Sequence, residues 1–334
     1  MLRLPLLRRA TSALALATVF LACEEEPTVA PPDTPSDLPP VLFAGHSDPV
    51  WPGDFPDPSI LVTGSAYYAY ATNHGPANVP VLRSADLSSW TPAGDALPVL
   101  PTWAEPRKGR IWAPSVVAVD GRYVLFFTAR DRQSGLQCIG RAESMRPAGP
   151  FVDPAASPLV CQTDLGGSID PSVVRDEADG GLYLLWKNDG NCCGRAVSLW
   201  AQRLDRHAAL LVGPSAALLH SDRPWEGPLI EGPTMWREQG GWHLLYSANM
   251  WNTGQYAIGY ARCDSPLGPC RKIGPGPVMQ SDRTTSGPGG PEVFTDLAGR
   301  RLLAYHGWRA DAVGYGRGGA RTLRIARLEV GQAR

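Results

Sequence analysis

The chain has 334 residues, 43% of them hydrophobic, with 31 basic against 32 acidic side chains. That length is generous for one small domain and short for two large ones, and the apolar share supports a sizeable core. A charge near zero excludes the basic face that nucleic acid requires, while 36 Gly, 33 Pro and 11 Trp suit an all-β chain with tight turns.

The N-terminus reads as an export leader. Arg3, Arg8 and Arg9 precede an apolar run from Ala10 to Ala22 that is too short to span a bilayer comfortably. Residues 1–22 are therefore assigned as a signal peptide. The run ends Phe20-Leu21-Ala22-Cys23, which resembles a bacterial lipobox in which Cys23 is lipidated; plain secretion is the alternative. Residues 23–40 are Pro-rich and acidic, cannot bury apolar area and read as an extended tether. The folded domain is expected over 41–334. Setting Cys23 aside leaves Cys138, Cys161, Cys192, Cys193, Cys263 and Cys270, an even set that points to disulfides outside the cytoplasm. Cys263 with Cys270 and Cys138 with Cys161 are plausible bridges. Cys192 and Cys193 are adjacent, where a bridge is rare, and spacing does not fix the connectivity. No zinc spacing is present, so no metal site is assigned.

From residue 57 onward one pattern recurs. Asp57-Pro58-Ser59-Ile60-Leu61 is matched by Ala113-Pro114-Ser115-Val116-Val117 and Asp170-Pro171-Ser172-Val173-Val174. Looser copies are Glu231-Gly232-Pro233-Thr234-Met235 and Gly290-Pro291-Glu292-Val293-Phe294. The step is about 56 to 62 residues. A Gly turn and an apolar, aromatic run follow each copy, as in Gly121 to Thr128 and Gly181 to Asn188, and third strands are expected at 138–144, 196–204 and 256–263. No long helical period appears after the leader. Five such units of about four strands each predict a five-bladed β-propeller. A sandwich would not give five equivalent units, and a β-helix would need a shorter period.

In a propeller the innermost strands line one axis, so the residues ahead of each Pro converge at its mouth. Three of those five places are acidic: Asp57, Asp170 and, one residue earlier, Glu231. Gathered carboxylates raise at least one pKa, which suits a general acid near neutral pH. One protonated and one ionised carboxyl are the minimum for glycoside hydrolysis. A plainer reading exists for Asp57 and Asp170, since Asp-Pro often starts a turn, and clustered acids can also hold calcium.

These motifs resemble glycoside hydrolase family 43, whose members are five-bladed propellers. Gly53-Asp54-Phe55-Pro56-Asp57-Pro58 is similar to the segment carrying the family's general base, Ser168-Ile169-Asp170-Pro171 to that of its pKa modulator, and Glu231-Gly232-Pro233 to that of its general acid. Ile111-Trp112-Ala113-Pro114-Ser115 departs from the family's Trp-Ala-Pro-Asp. Gly290 stands where the family often places an axial His, which argues against a central calcium; His306 is expected to pack or hydrogen-bond. The resemblance implies an inverting glycosidase, with Asp57 as base, Glu231 as acid and Asp170 as modulator, and no required cofactor. Trp112, Trp51 and Trp251 are candidate sugar platforms, and Arg321 falls where many members place an Arg near the acid. The implied substrates are arabinose- or xylose-containing plant polysaccharides or oligosaccharides. An α-L-arabinofuranosidase comes first, ahead of β-xylosidase and endo-arabinanase; a chain stopping at Arg334 leaves no room for the extra β-sandwich many xylosidases carry. A monomer is expected, held to the membrane only if Cys23 is lipidated. A non-catalytic carbohydrate-binding propeller and a retaining fructan hydrolase are the alternatives.

Overall fold

The runs that follow each Gly turn are continuously apolar because both of their faces are covered. Leu184 and Trp186 point to one neighbouring sheet and Leu185 to the other; Leu244 and Tyr246 likewise oppose Leu245. A strand alternates sides every residue, so a sheet sandwiched between two others needs apolar residues at every position.

The computed structural model describes residues 41–44, 48–73, 75–106 and 111–330. The leader, Cys23 and the Pro-rich segment lie outside the described residues. The chain forms an all-β propeller of five sheets, and among the described residues there is no α-helix. Blade one comprises Ser59–Val62, Tyr67–Tyr70, Pro80–Ser84 and Trp90–Asp95. Blade two has three strands rather than four: Trp112–Val119, Arg122–Arg130 and Gln137–Ser144. Single bridges from Ile139 to Val160 and from Glu143 to Val152 stand in for its fourth. Blade three runs Ser168–Arg175, Leu182–Asn188, Ser198–Leu204 and Leu211–His220. Blade four runs Ile230–Glu238, Gly241–Ala248, Ala257–Cys263 and Cys270–Lys272. Blade five joins Thr285–Thr295, Arg301–Arg309 and Thr322–Val330 to the early strands Val41–Ala44 and Trp51–Asp54. Both early strands pair with Thr322–Val330, so the two ends of the domain close the ring.

Each of five apolar clusters fills one junction between blades. Phe126 and Ile139 meet Leu182 and Trp186 between blades two and three. Leu245 and Tyr260 meet Leu303 and Tyr305 between blades four and five. Burying a Leu or Phe contributes roughly 1.5–3 kcal/mol, and no blade keeps that contribution without its neighbours. Disulfides join Cys138 to Cys161, Cys192 to Cys193 and Cys263 to Cys270.

Candidate active site

Every blade reaches the axis on a left-handed residue ahead of a Pro, and in blades two to five the innermost strand also breaks register there. The innermost strand slips register between Trp112 and Ser115, Ile169 and Ser172, Glu231 and Thr234, and Gly289 and Glu292. The residue ahead of each Pro is left-handed, with φ of 53° at Asp57, 42° at Ala113, 56° at Asp170, 55° at Gly232 and 59° at Gly290. The Pro behind it has no N–H to lose to the bulge. Asp tolerates left-handed backbone better than most side chains. Gly290 has a second constraint, because a Cβ there would lie 2.7 Å from His306 Nδ1 and 3.1 Å from the Asp57 Cα.

Gly232, not Glu231, matches Asp57 and Asp170. Glu231 lies one rung earlier, in register with Trp112, Ile169 and Gly289. Two adjacent rungs therefore supply the acids.

The bulges are tied into a ring. The backbone N–H of Ala113 donates to Thr72 Oγ1 at 2.8 Å, that of Asp170 to Thr128 Oγ1 at 3.2 Å and that of Gly290 to Ser247 Oγ at 2.9 Å. The Asp57 N–H donates to His306 Nδ1 at 3.0 Å. His306 is fully buried, and burial followed by the Arg321 charge holds its pKa well below the ordinary value. It is thus a neutral acceptor with its proton on Nε2. Blade three differs: Lys187 takes the partner position, and the Gly232 N–H donates to Asp170 Oδ2 at 3.0 Å.

One cavity of about 400 Å³ opens over this ring and contains Asp57, Asp170 and Glu231. Asp57 Oδ2 accepts from Thr72 Oγ1 at 2.5 Å, and Oδ1 lies 3.5 Å from Arg321 Nη1. Glu231 Oε1 accepts from Tyr256 OH at 2.9 Å and Oε2 from Lys187 Nζ at 2.8 Å. Tyr256 also stacks on His306, with ring centres 5.9 Å apart, so one aromatic pair spans from the Asp57 backbone to the Glu231 carboxyl. Burial, then the Glu231 charge, pushes the Asp170 carboxyl up to about 8, although Lys187 pulls the other way. A proton is therefore held beside Glu231 at neutral pH. Burial and Glu231 also raise Asp189 to about 6 against the pull of Lys187.

Trp112 and Trp251 both line the cavity, whereas Trp51 does not. Trp51 sits on the closing strand, paired with Leu323, and packs on the apolar layer between blades five and one. Arg321 is also displaced from its expected place, since it faces Asp57 rather than Glu231. Its guanidinium lies 4.6 Å over the Trp251 ring and donates to Tyr315 OH at 3.2 Å. Among the described residues no group of three or more His, Cys, Asp or Glu side chains is gathered as a metal ligand set. The axial position lost at Gly290 is not replaced by His306, whose Nδ1 is committed to Asp57. Lys187, Tyr256, Asp189 and Glu292 were not singled out in the sequence. Lys187 leaves a trace there, as a cation inside the otherwise apolar run Leu182–Asn188.

The model of family 43 glycosyl hydrolases matches residues 46–332. A β-D-galactofuranosidase, xynD, of Aspergillus niger is 27% identical over 281 residues, covering 78% of this chain and 75% of that protein. A xylosidase/arabinosidase of Butyrivibrio fibrisolvens is 30% identical over 228 residues, 65% of this chain but 41% of the relative's length. The crystal structure of a thermostable family-43 glycoside hydrolase superposes with a TM-score of 0.72 at 27% identity, covering 86% of this chain and 96% of that one. With its five blades and a cavity lined by Asp57, Asp170 and Glu231, the chain belongs to glycoside hydrolase family 43, enzymes that hydrolyse O-glycosyl bonds.

Proposed function

We propose that the protein is an exported, inverting glycosidase that removes α-L-arabinofuranosyl residues from plant polysaccharides or oligosaccharides. The observation that carries this reading is the contrast between Asp57 and Glu231 in one cavity. Asp57 is held by Thr72 and faced by Arg321, and Glu231 sits beside a retained proton. Asp57 acts as general base and removes a proton from water. The water oxygen attacks the anomeric carbon from the face opposite the leaving group. Glu231 gives its proton to the glycosidic oxygen as that bond breaks. Burial and the Glu231 charge raise the Asp170 carboxyl to about 8, so it holds a proton beside Glu231 at neutral pH, and Asp170 is the modulator. No cofactor takes part. Inversion requires the two carboxyls to stand roughly 6.5–9.5 Å apart. Trp112 and Trp251 are platforms for the apolar sugar face, and Arg321 stiffens the Trp251 side. Three disulfides favour an oxidising compartment outside the cytoplasm; lipidation at Cys23 is the proposed anchor.

The similarity to a β-D-galactofuranosidase favours a second reading. α-L-Arabinofuranose and β-D-galactofuranose share their ring configuration and differ by one exocyclic carbon. Nitrophenyl α-L-arabinofuranoside, β-D-galactofuranoside and β-D-xyloside separate the readings, with NMR of the first-formed anomer. Arabinofuranoside cleavage with inversion is expected. Retention would remove Asp57 from the base role, and a wild type as inert as Glu231→Gln on a broad glycan panel would leave a binding propeller.

A further inference from the structure

We infer that Lys187 is a positioning residue for the acid, holding Glu231 opposite Tyr256 and supplying the positive charge against which Glu231 releases its proton. This rests on the reading of Glu231 as general acid.

The ring at the floor isolates the residue. Thr72, Thr128, Ser247 and His306 each accept a backbone N–H from the next blade. An ammonium has no lone pair to offer. Lys187 in the fifth such place therefore gives up the ring contact, and the Gly232 N–H turns to Asp170. The Lys187 side chain is 1% exposed, and burying a charge is costly unless it is paired. Four blades hold the same junction without a cation, so the scaffold does not need one.

What Lys187 meets is the candidate acid. Its Nζ lies 2.8 Å from Glu231 Oε2 and 4.0 Å from Asp189 Oδ1. The groups around it are Glu231 from blade four and Asp170 and Asp189 from its own blade, with Asp57 acting on the same Asp170 carboxyl. Tyr256 holds the other oxygen of Glu231 at 2.9 Å. Burial opposes the ammonium, but Glu231, Asp170 and Asp189 outweigh it and keep Lys187 charged. As Glu231 passes its proton to the leaving oxygen, the C–O bond breaks and the carboxyl becomes an anion. A fixed cation stabilises that developing charge without rearranging.

The test compares wild type with Lys187→Met and Lys187→Gln in the full chain. Both variants should move the alkaline limb of the kcat/KM profile up by about one pH unit or more, because removing a cation raises the acid's pKa. Hydrolysis of alkyl or oligosaccharide glycosides should fall about 10²-fold, whereas a dinitrophenyl glycoside, which leaves without protonation, should lose less than about tenfold. Carbon-13 titration of the Asp and Glu side-chain carboxyls reads the same coupling without turnover. Its raised midpoint should climb by about a unit in both variants. An unmoved midpoint overturns the inference even if the wild type cleaves nothing, the separate result that sinks the hydrolase reading. Equal losses on all leaving groups with an unchanged limb would likewise reduce Lys187 to a structural part.

Discussion

Replacing Asp170 by Asn should stabilise the protein while disabling it. The Asp170 carboxyl is raised from 3.8 to about 8 in the folded chain. Below about pH 4 it is protonated in both folded and unfolded chains. Between there and about pH 8 folding must take up a proton, so stability falls as pH rises, by about 1.4 kcal/mol per unit. At pH 7 the accumulated cost is on the order of 4 kcal/mol. Asn never ionises, tolerates the left-handed backbone and keeps an oxygen for the Gly232 N–H. Asp170→Asn should therefore melt roughly 8 °C higher at pH 7, at about 2 °C per kcal/mol, and match wild type near pH 4. Glu292, raised to about 8 by burial, and the depressed His306 titrate in both proteins, so the variant's pH slope between 5 and 7 should differ from wild type by about 1.4 kcal/mol per unit rather than vanish. Activity on alkyl glycosides should fall roughly 10²-fold or more. Calorimetry across pH 4–8 measures the stability effect. A variant no more stable than wild type at pH 7, or a gain that does not depend on pH, would refute the electrostatic account of the site.

Two further substitutions probe the floor and the wall. Gly290→Ala puts a Cβ 2.7 Å from His306 Nδ1 at a φ of 59°, and should cost about 2 kcal/mol or more in denaturant unfolding. Arg321→Met removes the guanidinium 3.5 Å from Asp57 and 4.6 Å over Trp251. Its kcat/KM should drop roughly 10²-fold, and Arg321→Lys should not restore it, since Lys lacks the planar stack.

The propeller was legible because each blade repeats its punctuation. A Pro behind the bulge and a Gly turn recur at near-constant spacing, and the Pro suits the bulge because it has no N–H to leave unpaired. Asp57 and Asp170, directly ahead of that Pro, and Glu231, two residues ahead of it, were legible for the same reason. Trp51 was misplaced because proximity to Asp57 in the chain does not say which way the closing strand turns its ring. Lys187 and Tyr256 were missed because they lie on second and third strands or their edges, where sequence shows an apolar run and not which residue meets the neighbouring blade. Arg321 was found, but its partner was not, since pairing across blades five and one depends on how the ring closes.

The position of Glu231 follows from that closure as well. A carboxyl on the bulge residue itself, as at Asp57 and Asp170, belongs to a short side chain on left-handed backbone. Blade four places Gly on the bulge and the longer Glu on the rung before it. From there the carboxyl meets Tyr256 of its own blade at 2.9 Å and Lys187 of blade three at 2.8 Å. Neither neighbour is used this way in the other blades. Gly232 leaves its N–H to the Asp170 carboxyl, which ties the proton-holding group to the backbone of the residue next to the acid. A fivefold scaffold thus gains one polar direction. The base stands where blades five and one close, and the acid where blades three and four meet.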